Sequence, residues 1–284
     1  MDNKLIKNIV GQFRDIQEQE LWLDENFKKK IGNLPEKLAF ERPLPELHSV
    51  AELISHILVW RKESILKLKG LSSMLTMESP ENWLTNEVLQ KKGWEKLKSE
   101  FYQSQEDIIE LIENETDEYL EREYTDGFKF KYLLEGLIHH DLYHLGQIGI
   151  VIKFLNKNVM KKRELAIQNY VDGYNTFDVS RMIRDFSENV IFENLQDGKV
   201  TMTLSGIQEF KNQAEKAKQF FSQRRQKILS FKHSTDKTEI DIDYQGILAS
   251  DFANGMKKGQ EIKLRGTSLF EFKEDKIIKL TDES

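Results

Sequence analysis

Two histidines one helical turn apart, His140 and His144, are the residues here whose type and spacing could do chemistry. They lie in the run His139-His140-Asp141-Leu142-Tyr143-His144-Leu145-Gly146-Gln147. An i, i+4 pair puts both imidazoles on one face of a helix, where they can reach a single metal ion. Each buried imidazole otherwise needs a partner for two ring nitrogens. His56, between Leu53 and Trp60, is the candidate third ligand. Three neutral imidazoles leave a coordination position for water or substrate, the pattern of catalytic sites. The competing reading is three ordinary core-edge histidines, since H-x-x-x-H spacing is common by itself. Asp141 and Glu52 are the nearest carboxylates in sequence and could orient a ring N–H. His48 and His139 read as loop or surface residues.

The elements that must position these rings are helical. Leu133, Leu137, Ile148, Val151 and Leu155 share a face with His140 and His144, predicting a helix from about Phe130 to Asn156. His56 falls in a helix that starts after Ser49, with Glu52 completing a capping box, and runs to about Gly70. Residues 3–30 and Leu89 to Ile112 give two more amphipathic segments. Pro35, Pro43 and Pro45 mark an extended connection, and Ser79-Pro80 opens a loop containing Trp83. With no strand signal among them, residues 1–157 are expected to form an all-α four-helix bundle. Gly146 and Gly149 cost about 0.8–1 kcal/mol each in a helix, which suggests close approach of a neighbouring helix.

This pattern resembles the DinB-like family of metal-dependent enzymes across roughly residues 1–157. The carriers are Ser49-Val50-Ala51-Glu52-Leu53-Ile54-Ser55-His56-Ile57 and H-x-x-x-H followed by Gly146-Gln147. The resemblance implies a metal triad of His56, His140 and His144. Zn²⁺ is the first expectation and Ni²⁺ the alternative, since imidazole suits both. It also implies a transferase or hydrolase, with a low-molecular-weight thiol as candidate cosubstrate. Leu145 stands where the family often has Arg, so no role is carried over for that position. No catalytic residue is assigned beyond the metal ligands.

After the polar, basic stretch Asn156 to Glu164 the periodicity changes. Residues 158–163 are expected as a linker between a first domain, 1–157, and a second, 164–284. Helical patterns at Leu165–Thr176 and after Asp178 precede a hairpin around Gln196-Asp197-Gly198. A helix over Ile207–Phe221 and strands near 226–232, 238–248, 261–272 and 276–280 complete an α+β cone with a curved antiparallel sheet. Tyr170 to Asp178, Val190 to Asn194 and Gly206 to Phe210 resemble the nuclear transport factor 2-like, SnoaL-like fold, which hosts many functions. Tyr170, Tyr174, Phe192, Asn194 and Tyr244 are the ligand-pocket candidates. Alternation puts Asp241, Asp243, Lys263 and Arg265 on the outer face, as cross-strand pairs.

Composition bounds the function. The 284 residues contain no cysteine, which excludes disulfides, thiolate metal sites and a cysteine nucleophile. Residues 1–160 hold 21 Lys and Arg against 28 Asp and Glu, unlike the basic footprint that nucleic acid requires. Met1 to Val10 has no apolar stretch of signal-peptide length, and no run approaches a membrane span. The expectation is a cytoplasmic, homodimeric metal-dependent enzyme that acts on a small molecule and binds neither nucleic acid nor membrane. The alternative is a non-enzymatic scaffold or small-molecule sensor.

Overall fold

A computed structural model describes residues 3–72, 74–252 and 255–283. Met1, Asp2 and Ser284, at the edges of the expected domains, lie outside the described residues. The chain divides into two compact units, Met1–Lys157 and Asn158–Ser284.

The first unit is helical. Its helices are α1 (Lys4–Gln17), α2 (Phe27–Ile31), α3 (Glu36–Ala39), α4 (Val50–Leu68), α5 (Asn86–Lys92), α6 (Trp94–Ile112) and the start of α7 (Phe130–Asn175). A two-stranded ribbon, β1 (Glu123–Thr125) with β2 (Phe128–Lys129), precedes α7. Apolar faces from α1, α4, α6 and α7 share one core, including Phe13, Ile54, Ile57, Phe101, Ile108, Leu134 and Ile148. The expected capping box is present: Ser49 Oγ accepts from Glu52 N, and Glu52 Oε2 accepts from Ser49 N.

Three local expectations change. The 3–30 segment breaks after Gln17, and the Leu89–Ile112 segment breaks at Gly93, whose φ of 85° ends α5 and starts α6. Residues 158–163, expected as a linker, are helical within α7. Gly146 does not mark a helix contact: a Cβ there would meet nothing within 4 Å, and one at Gly149 only a Lys30 methylene at 3.6 Å.

The second unit takes the end of α7, α8 (Val179–Ile183) and α9 (Ile207–Ala217) against a six-stranded sheet. The strands are β3 (Phe186–Gln196), β4 (Lys199–Ser205), β5 (Phe221–His233), β6 (Lys237–Leu248), β7 (Glu261–Lys273) and β8 (Lys276–Glu283). Their order is β4-β3-β8-β7-β6-β5. The sheet is mixed, correcting the antiparallel expectation, because β3 and β8 run parallel. The crossover through α9 sets this: it delivers β5 in the direction of β4, and three antiparallel steps then return β8 alongside β3. Register shifts in β3, β5 and β7 bend the sheet. Tyr170 packs edge-on to Phe270, and Phe186 stacks on Phe210 of α9. On the outer face Asp243 lies opposite Arg265, and Asp241 faces Lys232 at 3.4 Å.

Ser49→Ala removes one half of the capping box and the hydrogen bond from Ser49 Oγ to Asn86 Oδ1. The expected loss is about 1 kcal/mol, at most about 2, read as a lower urea midpoint with unchanged slope.

Candidate functional site

His56 comes from α4, His140 and His144 from α7. His56 and His144 are each 5% exposed, and His140 is half-buried. Among the described residues these three form a group whose ligand atoms lie within 4.8 Å of one another. The Nε2 atoms of His56 and His140 are 3.1 Å apart. Two nitrogens held tetrahedrally about 2.0–2.1 Å from zinc are separated by about 3.3 Å.

The opposite ring edges set the tautomers. His56 Nδ1 donates to the Asn82 carbonyl oxygen at 3.0 Å, and His144 Nδ1 donates to Gln147 Oε1 at 2.7 Å. Each therefore carries its proton on Nδ1 and leaves the Nε2 lone pair free. Burial lowers the His56 pKa and pushes that of His144 down to about 4, with the His140 ring adding to both shifts. Both rings are neutral near pH 7, as metal ligands must be.

Asn82 sits in the single 3₁₀ turn Pro80–Trp83. Its side chain accepts from Trp60 Nε1 at 2.9 Å and donates to the Met77 carbonyl at 2.9 Å, so loop and helix are clamped together behind His56. The Trp83 ring lies between two imidazoles, 3.9 Å from His48 at 7° and 3.9 Å from His56 at 6°.

Behind His140 lies a buried ion pair. Arg61 on α4 is 0% exposed and donates to Asp141 Oδ2 at 2.6 Å, Gln105 Oε1 at 2.9 Å and the Phe101 carbonyl at 3.1 Å. The other oxygen, Asp141 Oδ1, and His140 Nδ1 both lack a hydrogen-bond partner among the described residues, and they are 3.9 Å apart. A cation on His140 Nε2 would put that ring's proton on Nδ1, facing the free carboxylate oxygen. The donor set and this pair of orphaned atoms both fit a divalent ion. Glu52, the other carboxylate considered, is bound by Arg42 and Ser49 instead.

In the second unit a cavity of about 250 Å³ is lined by Tyr174, Asn194 and Tyr244, together with Gln226, Ser268 and Asp282. Tyr170 and Phe192 do not line it; they pack in the core around Phe210. Gly246 gives this region room, since a Cβ there would come within 2.9 Å of the Phe221 ring. Asp282 is the carboxylate absent from the sequence-based candidates, because the last strand reads as ending at Leu280. The strand runs three residues further, to Glu283, and Asp282 follows Leu280 on the same face. Burial pushes the Asp282 carboxyl up to about 6, against the hydrogen bond donated by Ser268 Oγ at 2.5 Å. Burial also raises both the Tyr174 and Tyr244 phenols.

Comparison with known proteins agrees with the two resemblances. Residues 22–148 match the DinB superfamily, and residues 167–280 match the SnoaL-like domain. Among solved structures, AclR from Streptomyces galilaeus is 15% identical, covering 43% of this chain and 88% of its own, at TM-score 0.37. A SnoaL-like protein from a Jannaschia species is 10% identical, covering 43% and 84%, at TM-score 0.38. An NTF2-like protein of unknown function from Burkholderia pseudomallei is 12% identical, covering 43% and 88%, at TM-score 0.36. No curated protein shows a match to the chain. Among the described residues no helix is long and apolar enough to cross a membrane.

Arg61→Met leaves the Asp141 carboxylate buried without its cation and is expected to cost about 3–5 kcal/mol of stability. Arg61→Met with Asp141→Leu should recover most of that loss; urea unfolding of the three proteins measures it.

The Asp282 pKa is raised in the fold, so its contribution to stability is present below about pH 4 and is lost as pH rises through about 6. Asp282→Asn is therefore expected to stabilise by about 1–2 kcal/mol at pH 7.5 and to be neutral near pH 4. Thermal unfolding at the two pH values checks the sign, and an equal effect at both would refute the assignment.

Proposed function

We propose that the DinB-superfamily unit is a divalent-metal enzyme in which His56, His140 and His144 hold the ion. The long helices α1, α4, α6 and α7 are read as its four-helix bundle. One observation carries the reading: two Nδ1 protons are engaged behind the rings while the Nε2 atoms converge, two of them at 3.1 Å. Zinc is the first choice of metal and nickel the second. The ion supplies Lewis acidity that makes a thiol or water nucleophilic near neutral pH. The chain's own residues do the rest. Asn82 and Gln147 hold two tautomers, Asp141 Oδ1 faces the third ring's Nδ1–H as its acceptor, and Arg61 keeps Asp141 in place. A transferase of small thiols and a hydrolase both use such a nucleophile, and both belong to this reading.

A second reading is favoured by the cavity beside Asp282. The SnoaL-like domain binds a small uncharged molecule there, between Tyr174 and Tyr244, and a homodimer formed through this domain is part of the same reading. Thermal shifts that persist in chelator and disappear in Tyr244→Ala support it.

Purified full-length protein loaded with zinc and dialysed is expected to retain about one ion per chain by elemental analysis. His56→Ala and His140→Ala should each lose it while keeping the helical circular dichroism. Retention below half an ion per chain in the unmodified protein removes the metal reading.

A further inference from the structure

The structure assigns a substrate class to the metal centre: a neutral, apolar molecule with one metal-binding head, to the exclusion of carboxylated ones. This rests on the metal reading above. The cavity over the three histidines measures about 510 Å³, within the range of small-molecule sites. Besides the ligands, its walls are His48, Trp60, Met77, Trp83, Tyr143 and Gln147. Among the described lining residues none is Asp, Glu, Lys or Arg.

Much of the polar capacity of these walls is already engaged. The Trp60 indole N–H is donated to Asn82, and Gln147 Oε1 is held by His144. The faces of Trp83 are covered by His48 and His56. Arg42, which shares Glu52 with His48, is bound to that carboxylate at 2.6 Å. A carboxylate brought into this cavity away from the metal loses part of its hydration and meets no Lys or Arg side chain in return.

Apolar surface, by contrast, is left uncovered. Met77 is 67% exposed and Tyr143 64% exposed, both bordering the same cavity as the half-buried Trp60. A thioether, a phenol ring and an indole beside three convergent ring nitrogens favour a flat or aliphatic body whose head reaches the ion. Trp60 and Met77 are the specificity-determining residues, acting on the body of the substrate rather than on its reacting atom.

The test uses full-length protein loaded with cobalt(II), titrated with three thiols: benzyl mercaptan, 4-(mercaptomethyl)benzoate and mercaptosuccinate. Thiolate-to-cobalt absorption reports binding without requiring turnover. Benzyl mercaptan is expected to bind at least tenfold more tightly than either carboxylated thiol. Met77→Lys should narrow that ratio by threefold or more, through a cation placed at the cavity rim. A ratio below ten in the unmodified protein, or one that Met77→Lys leaves unchanged, overturns the substrate class and leaves the metal reading standing. Failure to take up cobalt removes the metal reading and this inference together.

Discussion

Arg61 has no contact with solvent, and its guanidinium is shared among three helices: it sits on α4, donates to Phe101 and Gln105 on α6, and is paired with Asp141 on α7. The Arg61 guanidinium also lies over the Phe101 ring at 4.3 Å. A buried pair of this kind contributes little net stability compared with a well-packed apolar substitute, because desolvation cancels most of the attraction. Its consequence is geometric. His56 lies five residues before Arg61 on α4, and His140 immediately precedes Asp141 on α7. The bond that fixes Arg61 against Asp141 therefore fixes the register in which the two metal-facing edges meet. It also leaves one carboxylate oxygen free toward His140.

The helical period carried most of the first unit's layout. It placed His56 and the His140/His144 pair on inward faces, and the Ser49–Glu52 box marked the start of α4. The extent of α7 was not legible, and the reason is physical. The stretch Asn156 to Glu164 is polar and basic, which marks it as solvated. Yet Lys, Met, Arg and Glu are strong helix formers, and neither Gly nor Pro interrupts the stretch. Polarity there reports a face, whereas helix ends are reported by caps and breakers, as Gly93 does between α5 and α6. The parallel pairing of β3 with β8 escaped for a different reason. Alternation gives the faces of each strand, while relative direction depends on the α9 crossover, which no strand's own residues encode.

The residues around the metal site divide in the same way. His56, His140 and His144 stand on periodic elements and could be found; Asn82, Trp83 and His48 stand on irregular segments and could not. A loop residue's orientation comes from bonds distant in sequence, such as Trp60 to Asn82 across 22 positions. Gln147 is the exception: it lies three residues after His144, the spacing at which helical side chains meet. Asp282 was lost to a boundary error of three residues, which shows how much a strand end matters when the last residues face a cavity.

Donor chemistry and wall chemistry then constrain each other. Three neutral imidazoles leave the full charge of a divalent ion uncompensated, and no described side chain lining the adjoining cavity carries a formal charge. The nearest carboxylate behind the ligands, Asp141, is already neutralised by Arg61. In such surroundings an anion is stabilised most where it touches the ion directly, and because the attraction falls with distance, a charged group at the far end of the substrate gains less while still losing water. A thiolate or hydroxide head therefore suits the site, whereas a charged tail does not. The same arrangement that would make a nucleophile at the metal thus selects the uncharged body attached to it.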